Sequence, residues 1–452
     1  VELERERPAG AGRVTASPPG ACWVPVPEGS PFPLHNLPLG VFTPAGGGGP
    51  RVGAAIGAHV LDLAALWAGL PLGGDLATGS LNRFLRRGPR EWAYLRREVT
   101  RVLSTDERRA HAERHLHRID EVTLHLPIEV ADYTDFDACE AHAVNAARVL
   151  RPGAPPLAPN WRRIPVGYHG RAGTVVVSGT DVRRPCGLRG IEGDGPAAGG
   201  PGRGGSDGGD SGRTGSGDGG GFGPTRRLDL EAEVAFVVGA PSAPGRAVPV
   251  AGFTDHVFGA LLLNDWSARD IQSFESRPLG PFLGKSFATS VSPWVVPLAA
   301  LEHARIPGPP QEPAPPRYLA ADPEQPWGLD LELTVAIGGA VVSRPRFREM
   351  YWSPAQMLAH LTVNGAPLRT GDLYASGTVS GAEPGRRGSL LELTRDGAEP
   401  LRLPDGSTRG YLADGDTVTI RATAPGPPGA APIGFGEVTG RVLPAGPSGD
   451  DG

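Results

Sequence analysis

Lysine is almost absent from this chain: of 44 residues that are lysine or arginine, only Lys285 is a lysine. Every other basic position holds arginine, in a sequence rich in Gly, Pro and Ala, so Lys285 runs against a compositional trend that all the others follow. Cysteine is also scarce. Cys22, Cys139 and Cys186 are widely spaced and form no Cys-x-x-Cys pair, which argues against a disulfide framework or a thiolate zinc site. Their spacing fits a reducing compartment, with the cytoplasm as the default. No apolar run approaches the roughly 20 residues that a membrane-spanning helix needs, and the stretch VELERERPAGAGRV has no apolar signal core. A formal net charge of -5 supplies no overall basic field for nucleic acid. The expectation is a soluble protein with neither nucleic acid nor membrane as partner.

What is present divides the 452 residues into unequal parts. Residues 1–21 mix Arg, Glu, Pro and Gly without periodicity and read as a disordered tail. Residues 40–63 suggest two short strands around a Gly-rich turn, and residues 81–103 an amphipathic helical segment broken near Gly88 and Pro89. A first domain over 22–128 follows. From 129 to 447, short β-like runs such as GTVVVSGT, LDLEAEVAFVVG and LDLELTVAIGGAVVS alternate with Gly, Pro and Asp turns, the pattern of a sandwich or rolled sheet. Residues 187–227 are nearly half glycine with almost no apolar content, and are expected to form a disordered surface insertion. The Pro-rich stretch over 306–326 reads as an ordered or semi-rigid loop, and 448–452 as a tail.

Four stretches could carry chemistry. In LDLEAEVAF, strand alternation puts Leu228, Leu230, Ala232, Val234 and Phe236 on one face and Asp229, Glu231 and Glu233 on the other. That second face is either plainly solvated or a hard-cation site, since adjacent carboxylates repel unless something positive lies between them. In FGALLLNDWSARDIQSFE an apolar strand ends at Asp265, a functional strand end or a helix N-cap. Arg269 and Gln272 follow, three apart on one helical face; both can donate to an oxyanion, or they sit on the surface. Residues 132–151 read as a loop and then an Ala-rich helix, with Asp135 near the start and His142 two turns on. These are a metal ligand beside a general base, or an N-cap and a packed histidine. Tyr168, His169 and Arg171 lie in a Gly-flanked loop, where they can equally be turn chemistry.

Taken together, DYTDF, NWRRIPVGYHGRA, LDLEAEVAF, NDWSARDIQ, PLGPFLGKSF, EMYWSPAQMLAHLTVNG, GDLYASGTVSG, LLEL and GFGEVTGRVLPA resemble, in content and order, the fumarylacetoacetase family. The likeness runs from about Trp23 to about Pro447, without the Gly-rich insertion, and includes the amino-terminal domain of the family's long form through FPLHNLPLGVF. The resemblance implies a mainly β fold, with a small SH3-like β-barrel ahead of a mixed β-sandwich-roll catalytic domain, assembled as a homodimer. It implies hydrolysis of fumarylacetoacetate, a β-diketo acid, with Mg2+ and/or Ca2+ as cofactor; a hydrolase of another acyl diketone or oxo acid, or a non-catalytic binding protein, is the alternative.

Carried across by position, the resemblance makes Asp135, Glu231, Glu233 and Asp265 metal ligands, with Lys285 and Thr289 lining a second cation position. His142 becomes the general base, neutral near its ordinary pKa of about 6.5, with Glu392 orienting it. Arg269, Gln272 and Lys285 match groups that stabilise developing negative charge, and Arg151, Tyr168, Gln272 and Thr378 match substrate-binding positions. Two substrate-binding positions depart from the pattern: Asp137 and Ser276 stand where the family has tyrosines. An aspartate there can repel a substrate carboxylate.

Overall fold

Strands dominate, as the short alternating runs imply. The computed structural model describes residues 22–189 and 221–446. The tails expected over 1–21 and 448–452, and most of the insertion expected over 187–227, lie outside those residues. The flanks of the insertion correct its bounds, because Cys186–Leu188 pairs antiparallel with Phe222–Pro224 and Thr225 is buried.

Where two amino-terminal strands were expected there are three, β1 (Leu39–Thr43), β2 (Arg51–Ile56) and β3 (His59–Asp62), paired in antiparallel order. Helix α1 (Pro89–Ser104) begins with proline at its first position and turns Trp92, Leu95, Val99, Val102 and Leu103 inward. At about 1.5–3 kcal/mol per fully buried large apolar side chain, that stripe holds the helix down. Strands β4 (Leu116–Arg118) and β5 (Thr123–His125) pair with β3 and β1. No ladder among the described residues joins β4 to β5 to close a barrel.

The larger unit contains β6 (Asp132–Phe136), α2 (Glu140–Leu150), β7 (Gly167–His169), β8 (Ala232–Val238) and β9 (Val257–Asp265). It continues with α3 (Arg269–Glu275), α4 (Leu283–Ser286), β10 (Thr289–Val291), β11 (Trp294–Pro297), β12 (Asp372–Ala375) and α5 (Leu390–Leu393). One sheet runs β4-β3-β2-β1-β11-β9-β8-β12-β6-β7, so β1 joins the two units through Leu39 opposite Val295. A second, five-stranded sheet includes Glu332–Ile337, Thr417–Ala424 and Ile433–Leu443. It shares a core with one face of the first sheet, where Val234, Phe236 and Leu262 meet Leu333, Ile420 and Val438. The opposite face, with Ala235, Val237, Leu261 and Leu263, is covered by the amino-terminal unit through Trp92, Leu95 and Val99. The architecture is mainly β, and the large sheet is buried on both sides.

The structure settles one open alternative and corrects one expectation. The acidic face of LDLEAEVAF is not solvated: Asp229, Glu231 and Glu233 are all buried. Residues 132–136 form a strand rather than a loop, because β6 finds a parallel partner in the distant β12. The Pro-rich stretch is tied down, with Gln311 and Gln356 exchanging hydrogen bonds of 3.1 and 2.8 Å. No helix among the described residues is long and apolar enough to cross a membrane.

Candidate active site

Strand direction gathers the acidic residues. Because β8 is antiparallel to β9, the start of β8 lies beside the end of β9, with Ala232 opposite Asn264. Ala375 of β12 pairs with both Ala235 and Asp135, which brings β6 to the same end of the sheet, and Asp265 pairs with Thr289 of β10. Two glycines permit the close approaches. A Cβ on Gly377 would lie 2.0 Å from the Phe136 carbonyl, and its own N–H donates to Glu233 Oε2 at 3.1 Å. A Cβ on Gly284 would lie 2.7 Å from Gln272, so only glycine lets α4 press against α3 and carry Lys285 inward. Glu275 caps α4, accepting the Phe282 and Gly284 N–H groups at 2.8 and 2.7 Å.

Asp135, Glu231, Glu233 and Asp265 are buried and present oxygens that all lie within 4.8 Å of one another. Lys285 Nζ donates to Glu231 Oε2 and, at 2.6 Å, to Asp265 Oδ2. Arg269 Nη2 donates to Glu231 Oε1 at 2.6 Å. The Tyr168 hydroxyl is shared between Asp135 Oδ2 at 2.9 Å and Asp265 Oδ2 at 3.3 Å. Burial raises the Asp135 and Glu233 carboxyls well above their ordinary values, and repulsion from neighbouring carboxylates adds to it. Burial acts the same way on Glu231, but Arg269 and Lys285 override it and hold this carboxyl well below the usual range. Burial opposes charge on Lys285 as well, yet Asp265 and Glu231 raise its pKa above the ordinary value.

These residues fit a divalent cation. Asp135 Oδ1 and Glu233 Oε1 are buried without a hydrogen-bond partner, and such orphaned acceptors call for a positive partner. Four carboxylates face the two cations Lys285 and Arg269, a formal excess of two negative charges. An all-oxygen donor set is that of a hard ion. Adding Mg2+ or Ca2+ to chelator-treated protein is therefore expected to raise its melting temperature, by the equivalent of about 2.7 kcal/mol at a hundredfold excess over Kd. Melting curves of the wild type and Glu233→Gln, in which the response should largely vanish, check this.

His142 projects from α2 toward the cluster. Its Nδ1 lies 2.8 Å from Glu392 Oε2, and its Nε2 is 4.0 Å from Glu231 Oε1. Burial favours the neutral ring, but Glu392 overrides it and the pKa rises to about 9, in contrast to the ordinary value expected from the sequence. Glu392 is held ionised against its own burial by His142, Asn145 and Ser389. Asn145 Nδ2 donates to its Oε1 at 3.0 Å, and the Ser380 and Ser389 hydroxyls donate to Oε2 at 2.8 Å each. With Nδ1–H committed to Glu392, Nε2 is the nitrogen free to accept a proton.

A cavity of about 240 Å³ opens at the cluster, lined by Tyr133, Tyr168, Arg171, Asp265, Phe282 and Lys285. Gln272 sits beside Lys285's helix, with its Oε1 accepting from Arg269 Nη1 at 3.2 Å. Thr378 is buried with an unpartnered hydroxyl. Asp137 Oδ2 accepts from Trp161 Nε1 at 2.9 Å while its buried Oδ1 has no partner, and Ser276 Oγ donates to the Gln272 carbonyl. Arg151 is exposed at the C-terminal cap of α2, away from the cavity lining. Neither Asp135 nor Asp265 is a helix cap: α2 and α3 are capped by Cys139 and Ala268. Asn145, Ser380, Ser389, Glu275 and Trp161 escaped the sequence reading, because each works through a contact that local spacing does not encode.

The chain is similar to known proteins over nearly its whole length. A family model described as Fumarylacetoacetase N-terminal matches residues 35–127, and one described as Fumarylacetoacetate (FAA) hydrolase C-terminal matches residues 133–443. The fumarylacetoacetase of Homo sapiens is 41% identical over 94% of this chain and 99% of its own length. Those of Caenorhabditis elegans and Arabidopsis thaliana are 42% and 40% identical, each over 94% of this chain and 99% of its own length. With both of its units matched and the acidic cluster inside the second, the chain belongs to the fumarylacetoacetate hydrolase family.

Proposed function

We propose that this chain hydrolyses the carbon–carbon bond of fumarylacetoacetate to fumarate and acetoacetate, the last step of tyrosine breakdown. The observation that carries this is the His142–Glu392 pair at 2.8 Å, set against the buried carboxylate cluster with Lys285 and Arg269 inside it. Its Nε2 takes a proton from water as the hydroxyl adds to one ketone of the β-diketone. The resulting alkoxide collapses, the carbon–carbon bond breaks, and the electron pair leaves as an enolate. Arg269, Gln272 and Lys285 are positioned to stabilise that negative charge. The proton held by His142 then returns to carbon, so that one water is divided between the two acids. Asp135, Glu231, Glu233 and Asp265 would hold Mg2+ or Ca2+, whose charge polarises the diketone, steadies the enolate oxygen and favours the neutral form of the nearby imidazole.

Arg171 at the cavity wall and the buried Thr378 supply donors for substrate carboxylates, and the Tyr168 ring lines the same wall. Asp137 keeps a second reading open, hydrolysis of a different acyl diketone, because an unpaired carboxylate oxygen beside the base disfavours a dianionic substrate. We further propose a cytoplasmic homodimer, a contact for which the exposed Leu279, Phe282 and Leu283 offer apolar surface. The test is steady-state hydrolysis of fumarylacetoacetate with and without chelator, products identified by mass spectrometry. Metal-dependent release of fumarate and acetoacetate is expected. Failure of folded, metal-loaded protein, together with turnover of another acyl diketone, would transfer the assignment to that second reading.

A further inference from the structure

We propose that Asp229 is a positioning residue that sets both halves of the catalytic machinery from one carboxylate, a reading that rests on the hydrolytic function above. Asp229 is the first acid of LDLEAEVAF but does not belong to the cation cluster; it is fully buried behind it. Its Oδ1 accepts the Leu230 N–H at 2.8 Å and the Leu390 N–H at 2.7 Å. Its Oδ2 accepts the Leu391 N–H at 3.0 Å and Arg269 Nε at 2.8 Å. All four acceptor directions of an ionised carboxylate are therefore in use.

Those four bonds lead to two places. Leu390 and Leu391 begin α5, where backbone N–H groups have no partner within the helix, and one residue further on α5 presents Glu392 to His142. A negative charge at this end also suits the helix dipole. In the other direction Arg269, with Nε fixed by Asp229, aims Nη2 at Glu231. Hydrogen bonds at either end and the α5 backbone between them thus link the general base to the charge-stabilising guanidinium through Glu392 and Asp229. A neutral amide of the same shape cannot replace it, because its NH2 would face N–H donors on whichever side it turned.

The test compares Asp229→Asn with a pair of substitutions at Leu390. Proline is tolerated at the first helical position and removes only the N–H from the backbone, whereas Leu390→Ala keeps that N–H; both truncate the buried side chain. Disturbing partners of this kind costs about 10- to 100-fold, so Asp229→Asn is expected to lower kcat by that amount with little change in KM. Leu390→Pro should lower kcat well beyond Leu390→Ala. A readout independent of turnover is the low-field NMR signal of His142 Nδ1–H, assigned by its disappearance in His142→Ala. It should move upfield in Asp229→Asn and Leu390→Pro and stay in place in Leu390→Ala. An unmoved signal with unchanged kcat in Asp229→Asn overturns the proposal, as does equal loss in the two Leu390 variants. If Asp229→Asn does not fold, the Leu390 pair decides. If the wild type fails to turn over fumarylacetoacetate, the functional reading falls while the NMR comparison still decides the role of Asp229.

Discussion

Lys285→Met is expected to destabilise the chelator-treated protein by about 3–5 kcal/mol, the cost of removing one partner from a buried ion pair. Nζ is the point at which Glu231 Oε2 and Asp265 Oδ2 converge, and Lys285 itself is buried. Without it, two desolvated carboxylates retain Arg269, the Tyr168 hydroxyl and the more distant His142 Nε2. A divalent cation should restore much of the loss, since it supplies positive charge to the same oxygens. Urea unfolding with chelator and with Mg2+ or Ca2+ measures both effects. Lys285→Arg separates charge from shape. A single ammonium nitrogen bonds both acids from a helix packed closely on Gln272, and a planar guanidinium needs more room. This variant is expected to fold but to lose about a hundredfold or more in kcat, the scale of losing one charge-stabilising donor. Near-normal turnover in Lys285→Arg would refute the argument that a lysine is needed there.

Removing the proposed base, His142, should have the largest kinetic effect. His142→Ala is expected to reduce kcat by about a hundred- to ten-thousand-fold, the range for loss of a positioned general base, with substrate still bound. Glu392→Gln tests the ion pair through pH. The pKa of His142 in the folded chain, about 9, lies above the ordinary value near 6.5. The pair therefore adds stability that is fully present below about pH 6.5 and is lost as pH rises through about 9. Chelator-treated wild type should lose about 3 kcal/mol across that window on account of this group, and Glu392→Gln should lose much less of it. Urea midpoints at pH 6 and pH 9.5 for both proteins provide the comparison. Parallel pH profiles would show that Glu392 does not hold the charge on His142.

Composition and order in the sequence determined a good deal. The solitary lysine pointed to Lys285, alternation in LDLEAEVAF separated its acids from its apolar residues, and the apolar run before Asp265 marked a strand end. The order of segments resembling the family implied one site for His142, Glu392 and the carboxylates. Tertiary structure alone decided that the acidic face is buried, because a strand's period reports which residues share a face and not what lies over it. Here Arg269, Lys285, Gly377 and the start of α5 close over the acids, while the amino-terminal unit covers Ala235 and Val237 further along the same strand face. It also decided that residues 132–136 form a strand, since their partner β12 lies far along the chain. Tertiary contact gave Asp229 four donors from three separate segments and joined His142 to Glu392 across 250 residues. Local sequence carries the propensity of a segment and the chemistry of its side chains. Desolvation, partner choice and pKa arise only when distant segments meet, and these are the quantities that turn carboxylates and a histidine into an active site.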